Sequence, residues 1–377
     1  MKAELITDAA RIGDVEDEWR ALAESRGNGF LTPEWFRSWW AHRGGSSSPL
    51  ISVVRRDDGS VAGVMPLVLD ASSRPRAIRF AGATVGDRFH PAAAESDEDA
   101  VAAATIAALE AEGMLRYMVL LEHVELDRGW WREMRAAAST QRAATEQQHT
   151  ELPYIPIDGL DWDGYLAGRS KNFRQQVRRR ERGLRREHTV ELRRASAASL
   201  QDDLATLFEL HALRWSERGR SSLDSPGTKE IVSDFALAAE RRKWLRLLLL
   251  EIDGAAVAAF LGWRIGGSYS FFQSGFDPAW SDSSVGLVLM ALTVKSAIEE
   301  GASEFDMLLG TEAYKRRFTD ASRPAATVVL TPAKRPVRVL VAGEATARRL
   351  AGDIAQRRGV GRIARSLRGL LPTRGRS

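Results

Sequence analysis

Residues 277–286 bring Ser281, Ser283 and Ser284 up to Gly286 where an apolar helical stripe begins. A helix N-terminus leaves backbone N–H groups without intrahelical partners, and together with the helix dipole these favour a phosphate. Small residues also let a pyrophosphate approach the backbone. The same residues read equally as an ordinary Ser-rich N-cap. Other reactive sets are missing from the sequence. His42, His90, His123, His149, His188 and His211 show no metal-ligand spacing, and there is no cysteine, so no metal is expected and thiolate chemistry and disulfides are excluded. There is no Gly-x-Ser-x-Gly elbow and no Walker loop. Dinucleotide-like spacing occurs only at Gly359, Gly361 and Ala364, with no strand before it, so chance explains it.

The elements that would position the Ser-rich loop are legible. Leu287, Met290, Ala291, Val294, Ala297 and Ile298 recur at i, i+3, i+4, i+7, which predicts a helix with one buried face, and Gly301 stops it. Upstream, 245–252, 257–264 and 268–276 read as an antiparallel meander turning at Asp253-Gly254 and Gly266-Gly267. Downstream, 305–309 reads as a strand. A helix through Leu204, Leu207, Leu210 and Leu213 precedes the meander and ends at Trp215-Ser216-Glu217-Arg218-Gly219.

The first part of the chain echoes this order. Helices are expected over 14–23 and from Thr32, with Thr32 as N-cap and Pro33 at the first helical position. Trp35, Phe36, Trp39 and Trp40 fall at helical spacing and are expected in a core. Trp40-Ala41-His42-Arg43-Gly44 matches the 215–219 ending, and strands at 50–54 and 61–69 flank Asp57-Asp58-Gly59, a hairpin signal like Asp253-Gly254. A helix over 101–109 and a strand over 117–121 follow. Two short matches in one order hint at an internal duplication. Alternating strands and helices predict an α/β (α+β) fold.

The net charge of +4 conceals an asymmetry: residues 169–194 carry +8, 331–377 carry +10, and the remainder −14. Such basic segments suit polyanionic partners, or else form a solvated helix face and a basic tail. Only Phe173 interleaves with the arginines over 174–186, so DNA is not expected. The first residues lack the apolar core of a secretory signal and no apolar run is long enough to span a bilayer, so a cytoplasmic location is expected.

Several segments taken in order resemble one family. They are Phe30-Leu31-Thr32-Pro33-Glu34-Trp35, Ser170-Lys171-Asn172-Phe173-Arg174 with the arginines that follow, Leu210-His211-Ala212-Leu213-Arg214-Trp215, Asp277-Pro278 with Ser-Ser-Val-Gly at 283–286, and Phe305-Asp306 to Gly310 with Tyr314-Lys315. This set resembles the CelD-type branch of the GNAT acetyltransferase superfamily, linked to cellulose and exopolysaccharide biosynthesis and similar to the FemABX peptidyl transferases. The resemblance is good over about 160–320 and fainter before it.

The resemblance implies two tandem GNAT-like domains, each a mixed, mostly antiparallel sheet flanked by helices. They would span 1–157 and 158–330, with the second catalytic, followed by a basic tail at 331–377. It implies acetyl-CoA or another acyl-CoA as cosubstrate. Pantetheine would lie along the strand ending at Phe276, and the pyrophosphate would meet the amides of Ser283, Ser284, Val285, Gly286 and Leu287. Of the arginine and Gly-x-Gly/Ala usual in this loop, only Gly286 is in place. Tyr314 would protonate the leaving thiolate, or simply pack. Lys315 would stabilise an oxyanion or bind a phosphate, and Asp306 would act as a base or hold structure. Lys171, Arg174, Trp215 and Gln273 would contact the acceptor, a small molecule or envelope precursor. A FemX-like enzyme using charged tRNA and a catalytically silent GNAT-fold binding module are the alternatives. The basic tail would touch an anionic membrane peripherally.

Overall fold

A computed structural model describes residues 1–73, 75–138, 142–215 and 221–332. The basic tail from 333, its Gly359–Ala364 spacing and residues 216–219 of the matched helix ending lie outside the described residues.

The first half runs β1 (Lys2–Ile6), α1 (Glu16–Ser25), α2 (Pro33–Arg43), β2 (Ser47–Arg55), β3 (Val61–Asp70), β4 (Ala77–Phe80), β5 (Ala92–Ala93), α3 (Glu98–Ala111), β6 (Met118–Glu125), α4 (Trp130–Ala136) and β7 (Arg142–Pro156). The second half runs α5 (Trp162–Ala167), α6 (Lys171–Glu187), β8 (Val190–Arg194), α7 (Leu200–Trp215), α8 (Thr228–Arg241), β9 (Leu245–Ile252), β10 (Ala255–Ile265), β11 (Ser268–Phe276), α9 (Val285–Glu299), β12 (Glu304–Asp306), α10 (Lys315–Phe318) and β13 (Ser322–Pro332). The local signals act as expected: Thr32 Oγ1 accepts from the Trp35 amide with Pro33 following, and Gly254, Gly266 and Gly301 take positive φ.

The strands form one mixed sheet in the order β1-β2-β3-β4-β6-β13-β7-β12-β11-β10-β9-β8, with β5 beside β3. Each half contains one parallel pair, β4–β6 and β11–β12, bridged by α3 and α9 respectively. The last strands are exchanged. β7, from the first half, pairs with β12 and along its length with β13, while β13, from the second half, pairs with β6. The expected break at 157/158 therefore follows a strand that is hydrogen-bonded to the other half.

Aromatic packing joins the halves as well. Phe30 lies 5.2 Å from Trp263 and 5.7 Å from Phe272, and Trp35 lies 5.2 Å from Phe235, ring centroid to centroid. Trp35, Phe36 and Trp39 are buried, as their spacing predicts. A second core lies on the opposite face of β10–β12, beneath α6 and α9. There α9 departs from the one-faced stripe: Val285, Val288, Leu289, Leu292 and Thr293 are also buried, because the helix is covered on more than one side. The strand expected over 305–309 is shorter, ending at Asp306. Leu308 then takes φ 53°, which breaks the extended run.

Candidate active site

The helix that closes the Ser-rich loop opens without a side-chain cap. Its preceding residue, Ser284, sits at φ 58°, ψ 41°, a left-handed conformation costly for a residue with a Cβ. The Ser284 carbonyl accepts from the Leu287 and Val288 amides at 2.9 and 3.2 Å, so the helix proper starts directly after it. The positive end of a fifteen-residue helix is thus presented to whatever lies before it.

What lies before it is a cleft of about 330 Å³. Its rim is polar: Arg214, Ser274, Ser281, Ser284, Tyr314 and Arg317. Its floor is apolar: Phe260, Val285, Leu289, Met290 and Phe318, all buried. Phe276 and Gly286 face one another across it, and a Cβ on Gly286 would come within 3.4 Å of the Phe276 ring.

The strand beside the cleft is freed by register. β11 pairs with β12 only over Ser268–Ser270, so residues 271–276 have no strand on that side. Against β10 the register jumps from Gln273↔Leu261 to Phe271↔Gly262, which leaves Phe272 as a bulge residue. Helix α7 backs the strand. The Ser274 carbonyl accepts from His211 Nδ1 at 3.0 Å and from Arg214 at 3.3 Å, and Arg214 also donates to Ser274 Oγ at 2.7 Å. A Cβ on Gly275 would lie 2.2 Å from the His211 amide nitrogen, so only glycine allows this approach. Helix α6 braces the loop and rim from outside the cleft: Arg180 donates to the Asp282 carbonyl at 2.7 Å, and Arg317 donates to Gln176 while lying over the Phe173 ring.

Tyr314 is half-buried on the rim. Burial, reinforced by Glu312, raises its phenol above the ordinary value, and nearby Arg214 opposes the rise. The hydroxyl therefore carries its proton at neutral pH, the form that can donate.

The sequence-predicted residues separate into two groups. Phe276, Ser284, Val285, Gly286, Leu287 and Tyr314 line the cleft together, and Ser283 closes the turn before Ser284. Lys315 and Asp306 do not line it. Lys315 is buried, its Nζ donating to the Leu309 carbonyl at 2.6 Å and lying 3.2 Å from Glu312. Asp306 is buried toward the first half, where it accepts from Arg88 at 2.9 Å and from the Leu308 amide at 2.8 Å. Among the proposed acceptor contacts, Lys171 is exposed at the start of α6, and Arg174 is committed to the carbonyls of Arg169 and Ala167. Trp215 is half-buried beside His211, and Gln273 adjoins the bulge.

Arg214, Arg317, Phe260 and Met290 also line the cleft, and the sequence assigns none of them a role in the site, Met290 being read only as part of the buried helical stripe. Arg214 lies within a segment of the family resemblance, but nothing in that segment says α7 crosses β11. A half-buried carboxyl from the first half, Asp87, lies near Lys315 and Asp306, and burial pushes it up to about 7.

The equivalent helix end in the first half is acidic. The first turn of α3 carries Glu98 and Asp99 behind Glu95 and Asp97. Asp97 is paired with Arg56, and Glu98 accepts from Arg128 at 3.0 Å. Carboxylates crowd that helix end without capping its amides, and their charge would repel a phosphate. Among the described residues no His/Cys/Asp/Glu group is arranged to hold a metal ion, and no helix is long and apolar enough to cross a membrane.

Residues 171–316 match the GNAT acetyltransferase domain family. Among solved structures, FemX is similar in fold with a TM-score of 0.64 at 13% identity, over 90% of this chain and 100% of that one. The C-terminal domain of a putative lysylphosphatidylglycerol synthetase from Agrobacterium fabrum gives 0.57 at 13% identity, over 89% and 96% of the two chains. L-PGS from Bacillus licheniformis gives 0.54 at 13% identity, over 86% and 94%. No curated protein matches this sequence.

Proposed function

We propose that the chain moves an acyl group, acetyl in the simplest case, from acyl-CoA in this cleft directly to an amine or hydroxyl. The acceptor would be a small molecule or a cell-envelope or polysaccharide precursor, in keeping with the CelD-type resemblance. One observation carries the reading: an uncapped helix N-terminus, opened by a left-handed serine, faces a polar-rimmed and apolar-floored cleft beside an unpaired strand edge. The amides at the start of α9 suit the pyrophosphate, and the free edge of β11 suits the pantetheine amides. The equivalent helix end in the first half is acidic, so the second half is the donor site.

The acceptor nitrogen or oxygen attacks the thioester carbonyl, so a C–N or C–O bond forms and the C–S bond breaks. Tyr314 gives its phenolic proton to the departing thiolate, the acceptor's proton passes to solvent, and Tyr314 regains a proton from solvent, so no net proton is gained or lost. Arg214 holds Tyr314 and Ser274 in place. No covalent enzyme intermediate is needed. Asp306 and Lys315 act at a distance, fixing the loop that carries Tyr314.

Two variants test this reading. Gly286→Val places methyl groups between the first helical turn and Phe276, so acyl-CoA affinity should fall roughly tenfold or more while circular dichroism stays unchanged. Unaltered affinity by calorimetry would remove the phosphate from this loop. Tyr314→Phe keeps the ring and removes the proton, so kcat should fall roughly 10²-fold with acyl-CoA affinity intact. Full turnover would return Tyr314 to packing.

Aminoacyl transfer from charged tRNA is the second reading, supported by the likeness in fold to FemX along most of the chain. The two readings differ in salt response. Many neutralised tRNA phosphates give a steep dependence, about −0.7 in log–log slope per single-strand contact, whereas CoA gives a shallow one.

A further inference from the structure

We propose that the outward face of α6 is a docking surface for an anionic lipid bilayer. The helix holds Lys171, Arg174, Arg178, Arg179, Arg180, Arg182, Arg185 and Arg186 against only Glu181 and Glu187. Its buried side is narrow: Phe173, Val177 and Leu184 face the second core. Lys171, Arg178, Arg179 and Arg182 are exposed on the opposite side, together with Gln175. They fall at i, i+4, i+7, i+8 and i+11, which makes one stripe about 100° wide, and the row runs about 16 Å at 1.5 Å per residue. Arg178 meets Asp163 at 3.1 Å, but both side chains are solvent-exposed, so the pair gives up little on contact with a stronger anion.

The chemistry of the face selects the partner. It has no aromatic side chain on which bases could stack, since Phe173 is turned inward against Phe318 at 4.9 Å. A-form RNA does not admit a helix into its deep, narrow major groove. A straight row of exposed cations instead fits a plane of anionic headgroups, and each cation adds to the attraction. With no apolar side chain on the row, binding is purely electrostatic and reversible. The same helix touches the Ser-rich loop and the rim residue Arg317 through Arg180 and Gln176, so docking would hold the cleft near the membrane surface. An acceptor carried in that membrane would be delivered to it. This surface is argued from charge alone and stands or falls separately from acyl transfer.

The full chain is sedimented with phosphatidylcholine vesicles and with vesicles that are roughly one-third phosphatidylglycerol. At low salt, binding to the anionic vesicles should exceed binding to neutral ones at least tenfold, and high salt should abolish it. The triple variant Arg178→Glu, Arg179→Glu, Arg182→Glu should lose at least tenfold, with unchanged circular dichroism and CoA affinity. The basic tail is present in both proteins, so its share cancels. If charge reversal perturbs folding, the same triple change to Gln should still give a severalfold loss. Equal binding to both vesicle types, or full binding by a folded variant, overturns the proposal. So does tight tRNA binding that the variant abolishes in a protein that ignores vesicles.

Discussion

Residues 158–377 produced without residues 1–157 are expected to show no cooperative unfolding transition, and 1–157 alone should behave likewise. The reason is the strand exchange. Removing the first half strips β7 from between β13 and β12, leaving β13 with no partner on either side. It also uncovers Trp263, Phe272 and Phe235, which Phe30 and Trp35 bury. Each such side chain contributes about 1.5–3 kcal/mol when fully buried, so uncovering this group removes a large part of a typical net stability of about 5–15 kcal/mol. The first half alone leaves the edge of β6 that pairs with β13 open, an aggregation-prone state. Co-produced as separate polypeptides, the two pieces should purify as one complex that binds acyl-CoA. A monomeric, cooperatively melting 158–377 fragment would show that the exchange is dispensable.

This exchange is the part of the fold the sequence conceals. The meander over β9–β11, both Asp-Gly hairpins and the α9 helix with its glycine stop are local, and each has a residue-level cause visible in the chain. β7 and β13 do not. The middle of β7 reads Glu146-Gln147-Gln148-His149, with no period-2 apolar face and low strand propensity, and β13 opens with Ser322, Arg323 and Pro324. Their pairing joins residues such as Thr145 and Val329, far apart in sequence, so no local signal reports it. The site divides the same way. The Ser-rich loop, Gly286, Phe276 and Tyr314 follow one another closely in the chain and can be read together. Arg214 joins them only because Gly275 lets α7 lie directly on β11, and Phe260 and Met290 only because the floor belongs to the second core. Asp306 misleads for a related reason. A carboxylate at the end of a strand next to the site looks like a base, but its partner Arg88 is more than two hundred residues away.

Arg88→Ala should lower stability by about 3–5 kcal/mol at neutral pH, the cost of leaving buried carboxylates without their cation. Arg88 is itself buried, donates to Glu125 at 2.6 Å and Asp306 at 2.9 Å, and lies 3.6 Å from Glu304. It therefore ties a first-half loop to β12 of the second half. Burial pushes the Glu125 carboxyl up, but Arg88 overrides this and holds it at about 2. That group stabilises the wild-type fold above its unfolded value, and the contribution is lost as pH falls toward 2. Asp306 goes the other way: burial raises it, and Arg88 only limits the rise. Without Arg88, burial weighs more heavily on Glu125, Glu304 and Asp306, and their folded values shift upward, Asp306 the most because burial already raises it. They are then tolerated best when protonated, so the variant should lose stability as pH climbs through the raised values. Urea unfolding at about pH 5 and pH 7.5 should give the smaller loss at the lower pH. Arg88→Lys, which keeps the charge but not the forked geometry, should fall between the two. A loss that is the same at both pH values would mean that Arg88 contributes packing rather than charge. A loss under about 1 kcal/mol would mean that Arg323, 3.7 Å from Glu125 and paired with Glu304, is enough to hold the junction alone.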